Sequence, residues 1–175
     1  SIMQAKFLRF IEDILITPLS GLEISLSYII GGAVRGILNG ILVLLLAYLI
    51  TGLHIENWFL TLVYLSVVAW AFAGAGVIVG IYAKSWDSIM VLTNFFLMPL
   101  TFLGGVFYSI EMLPDFWRNI SMVNPLYWMI NGLRYATLGI ADTSHELSLG
   151  VSILFAIFFS SLASYMFSKG YRIKT

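Results

Sequence analysis

The residues that could do chemistry are few and set far apart. His54 and Glu56 share a short polar stretch, GLHIENW, and His145 is followed by Glu146. A zinc peptidase needs two histidines one helical turn apart in H-E-x-x-H, and none stands four residues beyond His145. Gly80-Ile-Tyr-Ala-Lys84-Ser85 approaches a phosphate-binding loop but lacks the glycine before the lysine, where the backbone must wrap the phosphate. No G-x-S-x-G elbow occurs. No carboxylate pair falls within an apolar run, and the absence of cysteine removes disulfide and thiolate chemistry. His54 reads as a solvated loop residue. Arg35 is the one charge inside an apolar run, about a turn or two from its start. It either snorkels to the interface or faces a polar cavity. Nine acidic residues balance nine basic ones, so net charge gives no sign of nucleic acid as a partner. Proton-coupled transport and intramembrane catalysis are disfavoured, and any energy source is expected on another chain.

The elements that must hold these residues are apolar. The 175 residues are 60% hydrophobic and 10% charged, with mean hydropathy +0.95, where a soluble domain carries about 25% charged residues. The fold class expected is an all-α integral membrane protein, a single transmembrane domain over 1–175. No signal-peptide pattern opens the chain, and Ser1 onward reads as the middle of a longer protein. Residues 2–16 place Met3, Phe7, Phe10, Ile11 and Ile14 on one helical face, with Lys6, Arg9, Glu12 and Asp13 away from it. That pattern predicts an interfacial amphipathic helix, ended by Thr17-Pro18 because a residue before proline is pushed out of helical geometry. Ser20-Gly-Leu-Glu23 is a capping-box pattern that starts a new helix. Four spans follow, at about 29–53, 58–83, 88–107 and 148–167. Gly32, Gly36 and Gly40 recur at four-residue steps in the first, a small-residue face for close helix packing.

Orientation follows from lysine and arginine. Lys6, Arg9, Lys84, Lys169, Arg172 and Lys174 all fall on one side of a four-span topology. The positive-inside rule makes that side cytoplasmic and places both termini there. Residues 108–147 then face the outside.

The stretch Pro99–Gly139 is too apolar for a plain loop and too broken for a plain span. It reads as the outer end of the third span, a Pro114–Arg118 bend and a helical hairpin over 108–139 that dips back toward the bilayer, turned at Asn124-Pro125. Backbone broken at membrane depth survives only where protein or a water-filled cavity covers it. Phe107, Tyr108, Phe116, Trp117, Tyr127, Trp128 and Tyr135 crowd this end, as an interfacial aromatic belt or as a gate. Asn124-Pro125 reads as a hairpin corner ahead of a substrate contact, and Arg134 as a structural donor. Residues 140–147, IADTSHEL, read as a solvent loop.

Two pieces of the sequence resemble the permease family of type-2 ATP-binding cassette exporters. One is Glu12-Asp-Ile-Leu-Ile-Thr17-Pro18-Leu19-Ser20-Gly-Leu-Glu23, continued by Tyr28 and Gly32/Arg35-Gly36. The other is Pro99-Leu-Thr-Phe-Leu-Gly-Gly105-Val-Phe-Tyr108-Ser-Ile110 with Leu113-Pro114, Asn124-Pro125-Leu126 and Asn131-Gly-Leu-Arg134-Tyr135 through Gly139. The resemblance covers essentially the whole chain. It implies the C-terminal part of a six-helix permease, a coupling helix around Arg9–Ser20 that docks on a nucleotide-binding subunit, and re-entrant helices over 108–139. Coupling would fall on Arg9, Glu12, Thr17, Pro18, Leu19, Ser20 and Glu23. The gate would fall on Gly105, Phe107, Tyr108, Pro114, Asn124, Pro125, Asn131 and Arg134. Asn131 stands where many such permeases have aspartate, which leaves the ionised partner of Arg134 open.

The function expected is a non-enzymatic export permease, a homodimer in the inner membrane working with two ATPase subunits. Its cargo would be a polysaccharide, lipid or drug-like molecule. Catalytic, cofactor and metal residues are expected to be absent from this chain, with ATP and magnesium on the partner. The alternatives are a membrane scaffold or sensor that never transports, and an enzyme acting on lipid-linked sugar. The enzyme would need an acid or base among His54, Glu111, Asp115 and His145.

Overall fold

The structure is a computed structural model, and it describes residues 2, 4, 19–83 and 85–169. Arg9, Glu12, Thr17 and Pro18 of the expected coupling helix lie outside the described residues, as does Lys84. Among the described residues the chain is helical, with no strand.

Helix α1, Gly21–Thr51, starts at Ser20, whose hydroxyl accepts the Glu23 N–H while the Glu23 carboxylate accepts the Ser20 N–H at 2.7 Å. This reciprocal box satisfies donors that the first turn would otherwise leave orphaned. The helix ends at left-handed Gly52. Helix α2, Trp58–Tyr82, is capped by Asn57, whose side chain accepts from Leu60 N–H at 2.9 Å. Helix α3, Trp86–Leu103, is the least regular. Its middle, Thr93–Leu97, is π-helical, with Met98 N–H bonded to Thr93 O. Pro99 follows, and a proline inside a helix removes a donor and crowds the carbonyl four residues back, so the preceding turn widens.

A short 3-10 turn, Ile110–Met112, leads to α4, Asp115–Val123, and α5, Pro125–Leu138. Helix α6, His145–Ser168, closes the described chain. Four helices among the described residues, α1, α2, α3 and α6, are long and apolar enough to cross a membrane. The 31 residues of α1 extend roughly 46 Å, beyond the ~30 Å of a hydrocarbon core.

The packing of α1 on α2 rests on small residues. A methyl built on Gly32 would sit 3.0 Å from the Ala73 methyl, and one on Gly36 would sit 3.1 Å from that of Ala69. The third of the set, Gly40, lies under the end of the Leu65 side chain. Helix α6 packs on both: Trp70 Nε1 donates to Ser160 Oγ at 2.9 Å, and the Ser25 and Ser164 hydroxyls are 2.7 Å apart. Such contacts matter because lipid gives no hydrophobic drive for one apolar helix to join another. Gly21 lies against the Ser168 backbone, so the capping box and the end of α6 share one end of the bundle. The hairpin α4–α5 occupies the other end.

Three boundaries differ from the expectations. The third span ends at Leu103 and not Phe107, because Gly104 N–H bonds back to Thr101 O and Gly105 turns at φ 77°. Pro114–Arg118 is not a bend. Pro114 caps α4, and its carbonyl accepts Arg118 N–H at 3.0 Å. The loop expected over 140–147 stops at Ser144, where α6 begins.

Candidate functional site: the hairpin and the cavity beside it

Breaking α3 at Gly104 frees carbonyls that a continuous helix would have bonded, and the hairpin end supplies the donors. Asn124 Nδ2 donates to Leu100 O at 2.6 Å, Tyr108 Oη to Phe102 O at 2.8 Å, and Arg134 Nη1 to Gly105 O at 3.4 Å. Asn124 is buried, and its Oδ1 also accepts Leu126 N–H at 3.0 Å, which starts α5 at Pro125. Asn124 therefore works as a corner and as a cap for α3. The turn after α1 docks in the same way: Glu56 and Asn57 N–H donate at 3.1 Å to Thr137 and Ala136 carbonyls in the last turn of α5.

The partner of Arg134 is Asp142. Their Nη2–Oδ2 distance is 2.7 Å, with the Asp142 side chain 7% exposed. Ser109 Oγ at 2.8 Å and Ile110 N–H at 3.1 Å donate to the same carboxylate, and Asp142 N–H donates to Asn131 Oδ1 at 2.9 Å. The Asn131 amide faces Thr143 Oγ1 at 3.0 Å and Ser148 Oγ at 2.9 Å. Burial pushes the Asp142 carboxyl upward, but the Ser109, Arg134 and Ile110 hydrogen bonds and the Arg134 charge outweigh it and hold it below the usual carboxylate range. An aspartate at 131 would put a second carboxylate on this one guanidinium. Asparagine instead uses both ends of its amide, and the charge comes from the following loop.

Of the residues expected to form a gate, Gly105, Asn131 and Arg134 meet in one hydrogen-bonded cluster with Asp142, while Tyr108 and Asn124 bond carbonyls at the end of α3. Pro125 opens α5, Pro114 sits apart at the start of α4, and Phe107 is 75% exposed. The aromatic set divides. Phe107, Phe116 and Trp117 face outward, Tyr127 is buried, and Tyr135 stacks on His145 at 4.2 Å between ring centroids. Tyr64 was not anticipated: its ring lies on Gly132 and its hydroxyl donates to His145 O. Nor were Ser109, Asp142, Thr143 and Ser148. The one signal in the sequence was an acid eight residues after Arg134, visible only once Gly139 is known to turn the chain back.

Beside the hairpin, α3 stands off the bundle. No residue of Trp86–Leu103 is buried, and α3 meets the other helices mainly through its Met98–Leu103 end against α5. The space left is a cavity of about 810 Å³, lined among others by Tyr28 and Arg35 of α1, Gly76 of α2, Thr93 and Phe96 of α3, and Leu126 of α5. Arg35 is not near the end of its span. It falls between Gly32, opposite Ala73, and Gly36, opposite Ala69. It is therefore level with Trp70, which is twelve residues from either end of α2. That is roughly 18 Å from the end of α2, beyond the reach of a snorkelling side chain, and the cavity is what it lines.

The sequence profile of the ABC-2 type transporter family matches residues 1–138. The chain is 37% identical over 170 residues to the inner membrane transport permease YadH of Escherichia coli K12, covering 97% of this chain and 66% of YadH. It is 30% identical over 158 residues to nodulation protein J of Sinorhizobium fredii, covering 89% of this chain and 58% of that protein. The chain thus spans just under two thirds of YadH. No solved structure matches it. A profile that covers most of the chain, and four membrane-length helices among the described residues, settle the family: the chain belongs to the ABC-2 type transporters.

Proposed function

We propose that the chain is the membrane-embedded part of an ATP-driven export permease, working as a homodimer with two nucleotide-binding ATPase subunits that hold ATP and magnesium. The observation that carries this reading is the division of the molecule into two ends in a family member. One end presents the capping box of Ser20 and Glu23, where a helix enters the bundle directly. The other carries the hairpin held by Asn124, Arg134 and Asp142. The first is the cytoplasmic, coupling end, on the positive-inside argument, and the segment Arg9–Ser20 before it docks on the ATPase. The second is the exit side, where the re-entrant hairpin closes the path. Membrane lipid surrounds the outward faces of α1, α3 and α6, where Leu42, Phe95 and Leu154 are exposed. The name of YadH supports an inner-membrane location.

The test is co-purification with an ATPase expressed from the neighbouring reading frame. Charge reversal at Arg9 should release the ATPase without unfolding the permease, whereas Asn124→Ala should keep the complex and lower substrate-stimulated ATP hydrolysis. Transport by the chain without any ATPase would end this reading.

A further inference from the structure

A charge at the middle of a span is costly and is kept where it faces a cavity or a partner. Arg35 is exposed along the cavity and has no hydrogen bond or ion pair to any described residue, in contrast to the half-buried Arg134 with its carboxylate. A guanidinium does not deprotonate in a protein, so the charge persists whatever occupies the space. The cavity it lines has the volume of a ligand site, about 810 Å³. Its other walls are mostly apolar and aromatic, from Tyr28, Val77, Trp86, Phe96 and Phe159, with hydroxyls at Ser27 and Thr93. One fixed cation in an apolar chamber matches a molecule with one anionic head and a hydrocarbon body. A phosphate or carboxylate meets the planar fork of arginine with two parallel hydrogen bonds, and the chain of such a molecule lies against the open flank of α3.

We propose that the Arg35 cavity binds an anionic amphiphile, its phosphate or carboxylate head on the guanidinium and its hydrocarbon between α1, α2 and α3. This rests on the reading of the chain as an exporter and names the class of molecule that the exporter receives or is regulated by. Its test needs neither ATPase nor transport, so either idea can fail without the other.

The detergent-solubilised full chain is titrated with three probes: dodecyl phosphate, inorganic phosphate and nanodiscs containing phosphatidylglycerol. Binding is read by native mass spectrometry and by quenching of tryptophan fluorescence with a bromine-labelled dodecyl phosphate, Trp86 being in the cavity wall. Saturable binding of dodecyl phosphate, at least tenfold weaker in Arg35→Gln and intermediate in Arg35→Lys, which keeps the charge but not the planar fork, is the expected result. Quenching should fall in Trp86→Phe while binding persists, which locates the probe even if Arg35→Gln folds poorly. Phosphatidylglycerol displacing dodecyl phosphate would identify a membrane lipid as the source. Failure to displace would identify a single-chain solute. Equal binding in Arg35→Gln, or competition by inorganic phosphate at the same concentration as dodecyl phosphate, would overturn the proposal. So would no binding together with loss of folding in Arg35→Gln, since the arginine would then be held by a carboxylate of the protein.

Discussion

Two arginines, Arg134 half-buried and Arg35 exposed along a cavity, show two different uses of the same side chain. Arg134 is surrounded: Asp142, Asn131 and the Gly105 carbonyl all lie within hydrogen-bond distance, and the region joins α3, the 3-10 turn, α5 and the start of α6. Arg35 lines an open chamber beside a helix that buries nothing. The first region is built to stay as it is, because the Leu100, Phe102 and Gly105 carbonyls at the helix break have each been given a side-chain donor. The second is built with room in it. Helix α3 belongs to both regions: its Met98–Leu103 end is fastened by Asn124, and the two thirds before it stand free.

The comparison breaks most sharply at Asp142. Asp142→Ala leaves the Arg134 guanidinium, 20% exposed, without its counter-charge, and removing one partner of a buried pair typically costs about 3–5 kcal/mol. The expected outcome is a large fall in thermal midpoint in detergent, read by loss of the monodisperse peak on size exclusion after heating. Arg134→Met combined with Asp142→Leu should recover much of that loss, since the damage is the orphaned charge more than the missing attraction. If the double variant is as unstable as the single one, the region is held by packing and the pair is incidental.

The next effect separates two glycines. A methyl at Gly132 would lie 2.1 Å from Cε1 of Tyr64, a fully buried ring fastened by its hydroxyl to His145. A methyl at Gly40 would lie 2.3 Å from Cδ1 of Leu65, the free end of a flexible side chain. The distances are alike and the neighbours are not. Gly132→Ala should cost about 1–3 kcal/mol by overpacking, and Gly40→Ala should cost far less because Leu65 can change rotamer. Thermal melts of the two variants side by side give the contrast directly.

A third effect is set by pH. The Asp142 carboxyl is held below its ordinary range when folded, so the unfolded chain takes up a proton there before the folded one does. Its stabilisation is fully present above the ordinary carboxylate pKa and is lost as pH falls through the depressed folded value. Wild type should therefore lose stability on acidification through that window more steeply than the Arg134→Met, Asp142→Leu double variant. Parallel pH profiles would show that the pair does not titrate as described.

Much of this frame was legible in the sequence, for physical reasons. Capping boxes and apolar runs are local signals, so Ser20, Glu23 and the four spans could be read residue by residue. Gly32, Gly36 and Gly40 announced a packing face, and Asn124-Pro125 a corner, because spacing alone defines both. What could not be read was whatever depends on the chain coming back on itself. Asp142 sits in a run of Ala, Asp, Thr and Ser that looks solvated until Gly139 folds it onto Arg134. Tyr64 and Gly132 are far apart in sequence and meet only because α2 and α5 pack. Arg35 was placed too near an interface because the first helix begins well before its apolar run, and only the register with Ala69 and Ala73 gives its depth.

The smallest expected effect is the one that tests the contrast itself. Replacing Arg134 by leucine removes several hydrogen bonds and strands Asp142, whereas replacing Arg35 by leucine removes a charge that the described residues do not compensate. Translocon-based scales put the cost of an arginine at the centre of a span near ~2.5–3.5 kcal/mol. Because Arg35 is exposed along a cavity and not pressed against packed apolar side chains, the net change on going to leucine should be small and in the stabilising direction. Arg35→Leu should leave the thermal midpoint equal to wild type or slightly above it, while Arg134→Leu lowers it clearly. The sign carries the information. A frame residue and a ligand-facing residue can both be essential to a transporter, but only the frame residue also holds the empty protein together. If Arg35→Leu falls as far as Arg134→Leu, then both arginines are frame, and the chamber beside α3 is closed by something the protein itself supplies.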